Sequence, residues 1–232
     1  MNISKISLSL YILSSLVTLI AVFFDMKWVE FFVKPIIIPS VFFYYLQKNE
    51  NRFSTVLLFL LVINFASDMI AVLDDDNKNS IIVILNLICN LVLTYFFIND
   101  AFKLKTVERK NSLQFVFFLT CFLAITYIFL TLIPGLYIAK TVYYILYGFV
   151  LSLMATISIQ NSIVSNNLRP FYSMLISVSF VITDTFYVLY YFYLPMKIFL
   201  AVNLAVQFGA YFYLIKYFST PHYKEIENDN WN

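Results

Sequence analysis

The chain has 232 residues, 62% of them hydrophobic and 12% charged, with a mean hydropathy of +0.83. Soluble domains carry about a quarter charged residues, so this balance excludes an ordinary water-soluble domain and implies an all-α polytopic membrane bundle. A formal net charge of +2 gives no reason to expect a nucleic-acid partner, and the basic residues read as topology signals instead.

The first apolar run, about 6–24, follows Lys5. It is long for a signal-peptide core, and no small-x-small cleavage site precedes Asp25, so it reads as the first span. Seven further spans follow at about 29–47, 54–73, 80–99, 112–133, 137–159, 171–193 and 196–217. Short polar connectors join them, which predicts one integral membrane domain over residues 1–232. Cys89 and Cys121 both lie inside apolar runs and read as small core residues rather than a disulfide or metal pair.

Lysine and arginine are unevenly placed. Ten fall at the N-terminus, in the second, fourth and sixth connectors and in the tail, among them Lys5, Lys48, Lys103, Arg169, Lys216 and Lys224. Four fall on the opposite side: Lys27, Lys78, Lys140 and Lys197. The bias predicts that both termini are cytoplasmic and that the acidic run 74–76 faces outward.

The two halves resemble each other weakly. "LNLICNLVLTYFFI" at 85–98 aligns with "VNLAVQFGAYFYLI" at 202–215, pairing Asn86 with Asn203 and Asn90 with Gln207. "FASD" at 65–68 aligns with "VITD" at 181–184. The offset is 116 for the acids and 117 for the amides. Four helices preserve direction through the membrane, so the pattern reads as a parallel four-plus-four repeat.

Three charged residues stand inside the spans: Lys34, Asp68 and Asp184. The amides Asn64, Asn86, Asn90, Asn203 and Gln207 accompany them, and Asn64–Asp68, Asn86–Asn90 and Asn203–Gln207 are each four residues apart on one helix face. Intramembrane charges are costly and usually face the bundle interior or a wet cavity. The expected depths converge on one pocket in the outer half of the bilayer. Two carboxylates in one poorly solvated pocket divide the acid and base roles between them. The plainer reading is that the amides bind helices together and that Lys34 snorkels to the surface. The tyrosines and phenylalanines read as lipid-facing filler.

Several chemistries are absent. The single histidine, His222, lies in the tail, which leaves no Ser–His pair within the spans and no histidine metal site. The three glycines form no phosphate-binding loop. No metal and no cofactor is expected.

Taken in order, several segments resemble the YhhN, lysoplasmalogenase-like membrane family. These are "VKPIIIPSVFFYYL" at 33–46, "LLVINFASDMIAVL" at 60–73, "YGFVLSLMATISIQNS" at 147–162, "ISVSFVITDTFYVLYYF" at 176–192 and "NLAVQFGAYFYLI" at 203–215. The chain departs from the family pattern at Thr183, Val206 and Asn90, where serine, alanine and histidine are usual. The resemblance implies Lys34, Asp68, Asp184 and Gln207 as site residues. It also implies hydrolysis of the vinyl ether bond of a lysophospholipid drawn from the membrane lipids. Asp184 would then be the general acid and Asp68 the stabiliser or base, or the reverse, with Lys34 binding phosphate or tuning Asp68. Gln207 with Asn90 would orient water or the ether oxygen. Two other readings stay open: a proton-coupled small-molecule or lipid transporter, and a non-catalytic lipid-binding protein. Small size and the lack of targeting signals point to a bacterial inner membrane.

Overall fold

The computed structural model describes residues 3–49, 54–72, 78–104, 112–133 and 138–221. The acidic run 74–76, the basic residues between 105 and 110, Arg52, His222 and Lys224 lie outside the described residues. Among the described residues there are eight α-helices: α1 (Ile3–Phe23), α2 (Lys27–Lys48), α3 (Thr55–Val72), α4 (Lys78–Lys103), α5 (Ser112–Leu132), α6 (Ile138–Val164), α7 (Leu168–Val188) and α8 (Lys197–Ser219). All eight are long and apolar enough to span a membrane, as expected, and no strand occurs among the described residues.

The helix ends follow local chemistry. The α1–α2 turn is made by Asp25 at φ 57, a left-handed position that an Asp tolerates better than most residues. Inside α2, Pro35 and Pro39 each remove an amide donor, which frees the carbonyls one turn earlier. The seventh span does not end as a plain α-helix. Leu189–Tyr193 form a π-helical turn, with the Leu194 amide bonded to the Leu189 carbonyl at 2.8 Å just before Pro195 ends the helix.

The core lies along α2, α3, α4, α6, α7 and α8, where Ile37, Leu60, Leu93, Met154, Ile176 and Leu214 are buried. Small hydroxyl residues bring the helices close and satisfy themselves on their own backbones. Ser152 donates to the Gly148 carbonyl at 2.7 Å, and Ser177 to that of Ser173 at 3.0 Å. Large apolar side chains such as Phe32, Phe43 and Tyr95 point outward, where the surrounding lipid is as apolar as they are.

Packing follows the weak internal likeness. α1 packs on α2 as α5 does on α6, α2 on α3 as α6 on α7, α3 on α4 as α7 on α8, and α4 on α6 as α8 on α2. The polar contacts repeat too. The Ser67 hydroxyl donates to Asn86 Oδ1 at 3.1 Å, and at the same offsets Asn203 Nδ2 donates to the Thr183 carbonyl at 2.7 Å. The halves differ at their first helices. α1 is seated against α8, and Tyr11 donates its hydroxyl to the Phe208 carbonyl. α5 leans on α6 and has no buried residue.

At the end of the bundle that carries the chain termini, the sequence reading needs correcting. The expected spans leave Arg169 in a connector and stop just before Asp100, yet both are buried in helices, at 6% and 2% exposure. Arg169 Nε meets Asp100 Oδ2 at 3.0 Å, and its Nη1 caps the carbonyls of Tyr217 and Thr220 at the end of α8. The Tyr217 hydroxyl donates to the same carboxylate oxygen at 2.6 Å, and the guanidinium lies 4.1 Å from the centre of the Tyr217 ring. Buried charges persist where both partners are present and hydrogen-bonded, and this cluster ties α4, α7 and α8 together.

Candidate functional site

A cavity of about 280 Å³ opens among α2 to α8 toward the end opposite the termini. Six of the eight polar residues singled out from sequence line it: Lys34, Asp68, Asn86, Asp184, Asn203 and Gln207. The two acids therefore share one chamber, although they come from separate helices and from the two halves of the chain.

Their settings differ. Asp68 is 5% exposed and accepts hydrogen bonds on both oxygens, from Gln207 Nε2 at 2.8 Å and from the Tyr211 hydroxyl at 2.7 Å. Gln207 and Tyr211 are one turn apart on α8, so a single helix of the second half clamps the acid of the first. The Lys34 ammonium is near enough to act on the same carboxylate. Asp184 is half-buried and accepts a hydrogen bond from the Tyr147 hydroxyl of α6 at 2.5 Å. Both oxygens of Asp68 are thus engaged by donors, while Asp184 keeps lone-pair capacity facing the cavity.

Lys34 does not snorkel. It is 5% exposed and pairs with Glu30 at 3.6 Å, one turn away on α2. Burial with a partner replaces exposure because Glu30 itself lines the cavity mouth beside Lys27. Sequence reasoning missed Glu30, and the signal available was its spacing of four residues from Lys34.

Asn64 and Asn90 do not line the cavity. Asn64 donates to the Leu60 carbonyl at 2.8 Å and to Cys89 Sγ at 3.3 Å, which knits α3 to α4 beside Asp68. Asn90 is 2% exposed and lies next to Tyr147. It sits one turn further from the mouth than Asn86, beside the ring that lines the chamber, so it reaches the site through Tyr147. The chamber lining thus includes Gln207 but not Asn90.

The larger omission concerns tyrosine. Tyr147 and Tyr211 are hydrogen-bond donors to the two acids, and Tyr144, Tyr187 and Tyr191 also line the chamber. In a chain with 18 tyrosines, nothing local marks which rings turn inward. Thr183, just before Asp184, lines the chamber with a hydroxyl that has no partner among the described residues.

Opposite these polar groups the wall is apolar and belongs largely to α5. The seam joining α5 to α6 is tight: Thr126 Oγ1 lies 3.2 Å from Ser152 Oγ, and a Cβ on Gly148 would come within 2.1 Å of Thr126 Cγ2. Glycine at 148 is what lets the two backbones meet, next to the tyrosine that holds Asp184.

The fold and the chamber together define a multi-pass helical membrane protein with an acid-lined internal site. Its family model is that of the YhhN family, matched over residues 29–216, and the chain belongs to that family. No curated protein and no solved structure matches the chain closely enough to extend the comparison.

Proposed function

We propose that the protein is a lysoplasmalogenase-like hydrolase that cleaves the vinyl ether bond of a lysophospholipid within the membrane. The observation that carries this reading is the pair Asp68 and Asp184, facing one chamber with unequal donor sets. Family membership supports it independently.

The chemistry follows from the two settings. Asp184 gives its proton to the β-carbon of the vinyl ether, which turns the ether carbon into an oxocarbenium ion. Asp68, held as a carboxylate by Gln207 and Tyr211, stabilises that cation and takes a proton from water as it adds to the same carbon. The hemiacetal then collapses to a fatty aldehyde and a glycerophospho-alcohol as its hydroxyl proton passes to the leaving oxygen, and the proton on Asp68 returns through water to Asp184. One water is consumed, and two carboxylates share the work much as they do in glycoside hydrolysis. Tyr147 holds the Asp184 carboxyl in register, and Lys34 with Lys27 at the mouth suits a phosphate. With both termini cytoplasmic, as the basic bias supports, the mouth faces the outer leaflet.

The test is direct. Purified protein is given a lysoplasmalogen, the corresponding saturated alkyl ether and the ester lysolipid, and released aldehyde and fatty acid are measured. Aldehyde from the vinyl ether alone, lost in Asp68→Asn and in Asp184→Asn with folding retained, is the expected result. The paired packing of the two halves favours a second reading, a proton-coupled carrier. Acid-dependent flux into liposomes without cleavage of any lysolipid would select it.

A further inference from the structure

Away from the chamber, at the end of the bundle that carries the termini, two positive charges meet. Lys48 closes α2, and Lys216 stands in the last turn of α8. The two helix ends are fastened side by side, since the Asn49 side-chain amide donates to the Ser219 hydroxyl at 3.1 Å. The Lys48 ammonium is near enough to that of Lys216 to act on it. Beneath them lies a matched pair of rings. Tyr44 is one turn before Lys48 and Phe212 one turn before Lys216, and the rings stack at 6.3 Å with 22° between their planes. The Lys216 ammonium is 5.1 Å from the centre of the Phe212 ring, and Tyr172 of α7 stands close to Lys48.

A lysine at the C-terminus of a helix complements the helix dipole, which accounts for each residue singly but not for their convergence. Two ammonium groups are donors only and repel each other, so their juxtaposition calls for an acceptor that carries negative charge. Among the described residues neither lysine has an ion-pair partner, and Asp100, the acid at this end, is engaged by Arg169. Lys48 is exposed and Lys216 half-buried, so an anion can reach both from outside the bundle. We propose that Lys48 and Lys216 form a clasp for the phosphate of one anionic phospholipid, drawn from the leaflet on the side of the termini. Both lysines end membrane-spanning helices and sit with tyrosines, which places them at headgroup level. Phe43 and Phe171, neighbours in sequence of Tyr44 and Tyr172, are exposed on the lipid-facing surface, where acyl chains can lie. Basic pockets between spanning helices suit such head groups. A zwitterionic lipid would bring an ammonium of its own to two like charges, and a lipid with net negative charge would not. The clasp is independent of the hydrolase reading.

The test reads phospholipid retained by the full-length protein in neutral detergent, by native mass spectrometry with thermal melts in parallel. Phosphatidylglycerol and phosphatidylcholine of the same chain length are compared. One phosphatidylglycerol should be retained saturably and raise the melting temperature, and phosphatidylcholine should not. The double variant Lys48→Gln/Lys216→Gln should bind phosphatidylglycerol roughly thirtyfold more weakly, as expected for two basic side chains at a headgroup. The exposed single variant Lys48→Gln serves should the double one fold poorly, and Lys48→Arg with Lys216→Arg should restore retention. Lys5→Gln, which removes a charge of α1 at the same end, should leave retention unchanged, as should Asp184→Asn at the opposite end. Equal retention of the two lipids overturns the clasp, and so does a loss in Lys5→Gln as large as in Lys48→Gln, which would mean diffuse attraction. Loss in Asp184→Asn would move the lipid to the chamber. Competition by inorganic phosphate or glycerol phosphate as effective as that of the lipid would overturn the phospholipid as occupant.

Discussion

The two ends of the bundle treat buried acids in opposite ways. At the end bearing the termini, Asp100 is locked to Arg169 and Tyr217 in a packed cluster that forms no part of the chamber. At the other end, Asp68 and Asp184 are held by hydroxyl and amide donors, with no cation within ion-pair distance among the described residues, and both look into open space. Burial of a carboxylate alone does not mark a working site. Room for a ligand and a neighbourhood that leaves the acid chemically available separate the second end from the first.

The sharpest way to break the contrast is to neutralise each acid. Asp68→Asn and Asp184→Asn should each lower aldehyde release by about 10²–10⁴-fold, the range for general acid–base groups, while the melting temperature stays near that of the parent. Equal activity in either variant would place the function elsewhere. At the opposite end the signs should reverse. Arg169→Met leaves Asp100 buried and unpaired, which predicts a stability loss of about 3–5 kcal/mol, read by thermal melts in detergent, with turnover per folded molecule preserved.

Next comes the difference between the two active acids. Tyr147→Phe leaves an oxygen of the Asp184 carboxyl without its donor in a poorly solvated site, a loss of about 1–3 kcal/mol, so turnover should fall by about 10–100-fold. Tyr211→Phe leaves Gln207 on Asp68, and its effect should be smaller, within about tenfold. A larger loss at Tyr211 would mean that Asp68 carries the more demanding role. The smallest effect tests the repeat. Asn86→Ala and Asn203→Ala each break one member of the matched pair of inter-helix hydrogen bonds. Each should cost about 1 kcal/mol in thermal stability, by similar amounts if the halves are equivalent.

Much of this was legible from residue types. Apolar runs of bilayer length gave the eight helices to within a few residues at most ends, because a lipid-exposed backbone has to satisfy its own hydrogen bonds. Asp68 and Asp184 stood out because a charge in hydrocarbon is rare and expensive. The internal likeness was visible only at polar positions, and Ser67–Asn86 and Thr183–Asn203 make contacts at matching places, the first between side chains and the second onto a backbone carbonyl. Tyr147 and Tyr211 could not be found the same way, since a tyrosine is at home in lipid, at the interface or in a core. Arg169 and Asp100 were misplaced for a related reason: near a helix end, a charge reads the same whether it meets water or a partner some 70 residues away.

By itself, then, the sequence determined the solvent of the protein, the number of its crossings and the identity of its costly buried groups, since each follows from transfer free energies of segments and single side chains. Which of those groups meet was decided only in three dimensions. Helix rotation about its own axis sets whether a side chain faces a chamber, a neighbour or lipid, and that rotation is fixed by packing between helices distant in the chain. Tertiary structure thus joined Asp68 to Gln207 and Tyr211, set Asn90 beside Tyr147 instead of in the chamber, and left the inner face of α5 against open space.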